Sequence, residues 1–439
     1  MWAQEVTTGP AAAAVDVRIH DLIQATSSER IEADIRTLAG FGTRHTLSDT
    51  LSETRGIGAA RRWIHAEFER ISEACGGCLE ISVQRSLVQG EPRIPDPTWV
   101  VNVVANLRGA SDPDRTVIMT GDIDSRVSDA LDFTSESPGA NDNASGMAGV
   151  LEAARVLTQS GYRFNASIVF GGLSGEEQGL FGGEHMAEVA KEEGWEIEAV
   201  LNNDMIGNIQ GQNGVADNTT ARVFSESPAA NTTLEELRRM RFFGGEVDSP
   251  SRQIARYVAR IADLYFPNLN IMMVYRLDRF ARGGHHRPFN DAGFPAVRIM
   301  ETNEDYRRQH QNLRVEDGTE YGDVVEEVEF DYARKLTALN IATLASLAWA
   351  PAPPDSVSIA GAVEPSARLS WAPVGGPNLA GYKVYWRLTT SPTWDRWRWV
   401  GRATEAEMTN LVIDNYFFGV AAVGENGNES PVVFPDPAP

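Results

Sequence analysis

Cysteine is almost missing from this sequence: 439 residues contain two, Cys75 and Cys78. Two thiols cannot build a four-cysteine zinc site. Their CGGC spacing leaves three readings open: a short-loop disulfide between a helix end and the next strand, a redox pair, or two free thiols. Cationic side chains are also scarce, with 39 Lys and Arg against 61 Asp and Glu and a net charge of −22. That deficit excludes nucleic acid as a partner, because no surplus of cations is available to neutralise phosphates. It favours solubility by self-repulsion and draws divalent cations towards an acidic cleft. No apolar run approaches the roughly 20 residues that a membrane-crossing helix needs. Neither a long-range repeat nor a low-complexity tract is found. What remains is ordinary for a globular protein, 42% hydrophobic and 23% charged, and the length implies two or more domains.

The N-terminal part reads as helical. Thr26-x-x-Glu29 has the form of a capping box ahead of Ile31, Ile35 and Leu38. A second helix follows Gly58, with Ala60, Ile64, Phe68 and Ile71 at three- and four-residue steps, and stops at Gly76-Gly77. From Leu79 the period changes to two. Trp99–Leu107 and Thr116–Thr120 are continuous apolar runs, expected of central strands covered on both faces. Helix and strand then alternate: a helix over Ser145–Gln159, a strand over Ala166–Gly171, a helix over Gly183–Glu193 and a strand over Ile197–Asn202. The polar stretch from Ile209 to Gly245 reads as a loop-rich insertion. Ser251–Leu264 is a helix, Ile271–Tyr275 and Ala296–Met300 are strands, and Phe330–Trp349 is a long closing helix. This predicts an α/β fold, a twisted, mostly parallel mixed sheet with helices on both faces, over residues 1–350. Pro351–Pro354 is a stiff linker. Short strands from 355 to 439 predict a small all-β sandwich with Trp371 in its core.

Chemistry concentrates after the apolar strands, where α/β sheets place their ligands. GDIDS ends one run, PGANDNASG precedes a helix, GLSGEEQGLFGG follows a strand, NNDMIG follows another, and GGHHRPF comes late. Metal-assisted hydrolysis needs carboxylate or imidazole ligands, a general base and an open coordination position. Asp142 lies in a Gly/Asn/Ser-rich loop. Glu176 and Glu177 are consecutive on a Gly-flanked turn, so one carboxylate can hold metal while the other stays free.

In this order, over about residues 20–350, the motifs resemble the bimetallic zinc exopeptidase family of bacterial leucyl-type aminopeptidases, aminopeptidase S and glutamate carboxypeptidase II. The resemblance implies two divalent ions, zinc in the first instance, and a peptide substrate. It makes Asp142 the bridging ligand, Asp204 a ligand of one ion, and Glu177 and His286 ligands of the other. Glu176 becomes the general base. One departure stands out: the family has His-x-Asp where this chain has Asp122-Ile123-Asp124. Asp122 would ligate through oxygen, and the all-oxygen set Asp122, Asp142 and Asp204 would favour manganese or magnesium there. Asp124 matches the carboxylate that orients the family's imidazole. His285 replaces a residue that is more usually acidic or tyrosyl, and either donates to the oxyanion or lies on the surface. His310, in NEDYRRQH, falls where the family often places a cleft histidine; it either hydrogen-bonds the tetrahedral intermediate or is a plain surface histidine.

The sequence therefore reads as an aminopeptidase. A carboxypeptidase or dipeptidase stays open through Arg276, Arg279, Arg282 and Arg287, which could bind a substrate carboxylate. A catalytically impaired binding protein stays open through Asp122. The tail resembles a fibronectin type III domain and is expected to act as a spacer or to contact cell wall or polymer. MWAQEV reads as a processed chain with Met added, and Ala3-Gln4-Glu5 suits residues just after a removed leader, so a secreted or periplasmic location is expected.

Overall fold

Three helices lead the chain in the computed structural model, which describes residues 15–376 and 378–438; Ala3-Gln4-Glu5 lies outside the described residues. Helix α1 (Val17–Ala25) is capped by Asp16, whose side chain accepts from the Arg18 amide. Helix α2 (Ser28–Ala39) is capped by Ser27, which accepts from the Arg30 amide at 3.2 Å. The cap is thus one residue beyond Thr26, because the Thr26 hydroxyl is spent on the Leu22 carbonyl at the end of α1. Helix α3 (Gly56–Ala74) buries Ala60, Ile64, Phe68 and Ile71. It is followed by Gly76 and Gly77 at φ 77° and 85°. Cys75 and Cys78 are disulfide-bonded, which selects the first of the three readings.

The chain then forms β1 (Leu79–Val88), β2 (Thr98–Leu107), β3 (Asp112–Asp122), α4 (Gly146–Gln159) and β4 (Ala166–Leu173). These are followed by α5 (Glu176–Gly179), α6 (Phe181–Glu192), β5 (Glu196–Asn203), β6 (Thr220–Phe224) and α7 (Leu234–Met240). Next come α8 (Pro250–Tyr265), β7 (Asn270–Val274), α9 (His286–Ala292), β8 (Ala296–Glu301), the hairpin β9 (Arg314–Glu316) and β10 (Thr319–Tyr321), and α10 (Phe330–Trp349). Eight strands make one sheet in the order β1-β2-β4-β3-β5-β8-β6-β7. The central β4-β3-β5-β8 ladders are parallel and the β1-β2-β4 side is antiparallel. Alternate residues of β3 serve the two faces: Val117 and Met119 pack with α1–α4, α8 and α10, while Ile118 packs with α6 and α9. Strand order reverses around β3, with β4 on one side and β5 on the other. Their carboxyl ends open a crevice at the position where such sheets bind ligands.

The stretch from Ile209 to Gly245 is more ordered than its composition suggests. It contributes β6, which pairs antiparallel with β8 and parallel with β7, and α7, whose Thr233–Glu236 capping box was readable as T-x-x-E. The polar flanks hide a five-residue strand whose burial comes from neighbours far away in sequence.

Beyond α10, β11 (Ser358–Ala360), β12 (Ala367–Ser370), β15 (Glu405–Met408) and β17 (Asp436–Pro437) form one small sheet. A second comprises β13 (Leu379–Leu388), β14 (Arg396–Gly401) and β16 (Tyr416–Gly424). Val357, Leu369, Trp371, Tyr382, Val384, Phe418 and Val420 form their shared apolar core. This body docks on α8 through buried charge. Glu429 is 1% exposed and pairs with Arg260 and Lys383 at 2.5 Å each, and Tyr385 donates to it as well. Removing one partner of such a cluster strands the others. We expect Glu429→Ala to cost about 3–5 kcal/mol in urea unfolding; a loss within about 0.5 kcal/mol, as for an ordinary surface substitution, would show the cluster to be dispensable.

Candidate metal centre

Three strand ends and two loops bring the acidic residues together. Asp122 closes β3 and Asp204 directly follows β5. Asp142 sits in the tight turn Ala140–Ser145 that leads into α4. Asp323 secures that turn, accepting from the Asn141 and Asp142 amides at 2.8 and 2.7 Å. After β4, Gly175 adopts φ 73°, a left-handed turn suited to glycine, and presents Glu176 and Glu177. Asp124 holds this turn from behind. It accepts from the Glu176 and Glu177 amides at 3.3 and 3.1 Å and from Thr46 Oγ1 at 3.1 Å. Asp124 therefore positions the glutamates; it orients no imidazole at position 122.

Asp142, Glu177 and His310 each place a donor atom within 4.8 Å of the other two. His310 Nε2 lies 3.0 Å from Asp142 Oδ2 and 3.0 Å from Glu177 Oε1. Asp142 Oδ2 also accepts from Gln309 Nε2 at 3.1 Å, whereas Glu177 Oε1 is buried with no well-aligned hydrogen-bond donor. Arg126 closes the group from outside, 2.8 Å from Glu177 Oε2 and 2.7 Å from His310 Nδ1. Burial would raise Asp142 and Glu177, but His310 outweighs it and holds both below the usual carboxylate range. Burial would likewise lower His310; Glu177 and Asp142 overcome it and raise the imidazole to about 9. With Arg126 donating to Nδ1, the proton on His310 Nε2 is the one that faces the two carboxylates when no cation does. Two carboxylate oxygens and one imidazole nitrogen, with one oxygen otherwise unpaired, fit a zinc ion that keeps an open position.

Glu176 lines the same cleft of about 490 Å³, with Asp142, Glu177, Asp204 and His310. It is raised well above the normal value by burial, then by Asp204 and Glu177. A larger cavity of about 860 Å³ lies between α3 and the β1–β2 hairpin, lined by Arg61, Arg85, Trp99 and Phe133. It contains none of the site carboxylates.

The other expected ligands are engaged elsewhere. Asp122 Oδ1 lies 2.6 Å from His285 Nδ1, and its Oδ2 accepts from Asn143. Asp204 Oδ2 pairs with Arg298 Nη2 at 2.8 Å, while Asp204 Oδ1 is buried and unpartnered. His286, expected as a ligand, is the first residue of α9 and turns inward, its Nε2 2.7 Å from the Leu277 carbonyl and 3.5 Å from Asp278. His310 stands where the sequence reading placed His286. His285 is fully buried, which removes the surface reading.

A family model described as Peptidase family M28 matches residues 102–322. A probable zinc metalloprotease of Leptosphaeria maculans is 42% identical over 425 residues, covering 97% of this chain and 98% of the relative. One from Pyricularia oryzae is 43% identical, covering 93% and 82%. The chain belongs to peptidase family M28. Solved M28-like folds include the LapA aminopeptidase of Legionella pneumophila, with a TM-score of 0.54 at 18% identity over 78% of each chain. The aminopeptidase of Aneurinibacillus sp. strain AM-1 has a TM-score of 0.51 at 13% identity, covering 75% of this chain and 96% of that one. Among the described residues, no helix of this M28 peptidase is long and apolar enough to cross a membrane.

Sequence reasoning missed Arg298, Asp323 and Arg126 around this cleft. Arg298 follows the strand-like FPAV and carried no local signal beyond a charge inside an apolar run. Asp323 and Arg126 lie in loops whose paths only packing sets.

His286 of this M28 peptidase carries a test of its own. Burial lowers it from 6.5 to about 4, only partly opposed by Asp278, and its Nδ1 has no acceptor. The unfolded chain therefore takes up a proton that the folded one refuses. Stability from this group is intact above pH 6.5 and is lost as the pH falls towards about 4. In metal-free protein, His286→Asn is expected to flatten the decline of Tm across that window. Parallel curves for variant and wild type would reject the assignment.

Proposed function

We propose that this chain is a metal-dependent exopeptidase that releases N-terminal residues from peptides. In this reading Asp142, Glu177 and His310 hold a divalent cation, zinc, and Glu176 is the general base. One observation carries it: three ligand-type atoms converge beside a separate buried carboxylate in one cleft. A cation held there supplies Lewis acidity towards the scissile carbonyl and makes water easier to deprotonate. Glu176 accepts the proton of the attacking water and passes it to the leaving amine. Its raised proton affinity suits both halves of that task. Asp204 Oδ1, buried at the cleft wall and free of protein donors, would accept from the substrate's terminal ammonium. The Cys75–Cys78 bond supports an oxidising compartment outside the cytosol.

A second reading has its own observation. Arg282 and Arg287 line the same cleft, with side chains 31% and 51% exposed, and could meet a substrate carboxylate. Aminoacyl nitroanilides assayed beside N-acylated dipeptides separate the two. Turnover of the first class alone supports the aminopeptidase, and turnover of the second alone sinks it.

A further inference from the structure

We propose that this chain holds one metal ion where the family resemblance implies two, and that the Arg298 guanidinium stands where the second cation would be. The inference rests on reading Asp142, Glu177 and His310 as the metal centre. A second ion would need Asp122 and Asp204 to turn their oxygens towards it beside Asp142. Asp122 has no unengaged oxygen and Asp204 has one. Both oxygens of Asp122 are taken, Oδ1 by His285 at 2.6 Å and Oδ2 by the Asn143 amide. Asp204 Oδ2 is taken by Arg298. That leaves Asp204 Oδ1 as a single unpartnered oxygen, and one oxygen does not make a cation site. Among the described residues, Asp142, Glu177 and His310 are the one group of His, Cys, Asp and Glu side chains whose donors lie close enough to share an ion.

Arg298 is no mobile surface residue that an arriving ion could push aside. It rises from β8 and is fully buried. Its Nη1 donates to both oxygens of Asp278 at 3.1 and 2.9 Å and to the Gly283 carbonyl at 2.8 Å. Its Nη2 donates to the Asp204 carbonyl at 3.2 Å as well as meeting the Asp204 carboxylate at 2.8 Å. A fixed guanidinium beside Asp204 supplies a permanent positive charge that a second dication would have to approach against repulsion.

The Asp122–His285 contact has the same sense. The resemblance expects an imidazole at position 122 and an acidic or tyrosyl side chain at 285. Here the carboxylate is at 122 and the imidazole at 285, in contact although 163 residues apart. An aspartate reaches less far from its strand than a histidine, and its partner holds it there. Gly183 makes room for that partner: a Cβ at this position would lie 2.6 Å from His285 Cδ2. The outcome is a centre with one Lewis acid and a built-in organic cation.

Zinc counted by elemental analysis on the full chain, after dialysis against excess zinc and then buffer, tests this. One equivalent is expected for the wild type. Asp122→Asn and Asp204→Asn, which are close to isosteric, are expected to keep that one equivalent, with zinc affinity falling by no more than the roughly 100-fold that loss of an outer-shell partner costs. Two equivalents in the wild type, or the loss of an equivalent in either variant, would overturn the proposal. The wild-type count decides the matter even if a variant fails to fold. No zinc at all would instead overturn the underlying reading of Asp142, Glu177 and His310, so the two failures are told apart.

Discussion

Glu176→Gln should abolish most turnover while leaving zinc content unchanged. Glutamine keeps the shape and the backbone hydrogen bond to Asp124, but it cannot take a proton. General-base contributions run to about 10²–10⁴-fold in rate, so kcat on an aminoacyl nitroanilide should fall by about that factor. The zinc count should not move, because Glu176 is absent from the converging donors. Measuring both quantities on one preparation distinguishes proton transfer from ligation. If kcat stays within tenfold of wild type, below the approximate lower end of that range, Glu176 is not the base. If zinc is lost together with activity, Glu176 is a ligand and the roles within the glutamate pair must be exchanged.

His310→Ala and His286→Ala should part company in zinc affinity, measured by competition with a chromophoric chelator. His310 supplies one of three donors, lying 3.0 Å from both Asp142 and Glu177. Its removal should weaken zinc by more than the roughly 10–100-fold that loss of an outer-shell partner costs. His286 faces the Leu277 carbonyl and Asp278, so its removal should leave zinc affinity within that outer-shell range and lower Tm instead. The converse result, with zinc lost from the His286 variant and kept by the His310 variant, would return the ligand role to the GGHHRPF motif. The sensitivity of zinc binding to pH has a stated sign. His310 must shed a proton to ligate, and its neighbours hold that proton up to about 9, so affinity should rise with pH through the neutral range.

Much of the framework was legible because it is local. The change of period at Leu79, the apolar runs of β2 and β3, and the 20-residue closing helix Phe330–Trp349 each write their structure into neighbouring residues. The residues after β3, β4 and β5 could be singled out because a parallel sheet sends its strand ends to one edge. Where local signals were weak the reading slipped. The cap of α2 moved by one residue because Thr26 was already bonded to the preceding turn. Strand β6 was hidden because its burial comes from β8, 76 residues away at the pair Val223–Ile299, a non-local contact that sequence windows do not see.

The order of motifs by itself determined the family, the strand-end position of Asp122, Glu176, Glu177 and Asp204, the loop position of Asp142 ahead of a helix, and the chemistry those residue types permit. Tertiary structure alone decided which histidine joins them. His286 turns inward because it begins α9 against Leu277, and His310 enters the cluster because the segment between β8 and β9 carries it there. It also decided that Asp122 and Asp204 are already paired, with His285 and Arg298. The physical reason is that side-chain direction at a loop or helix start is set by whatever packs against it. Those partners lie up to 184 residues away, beyond the reach of any local pattern.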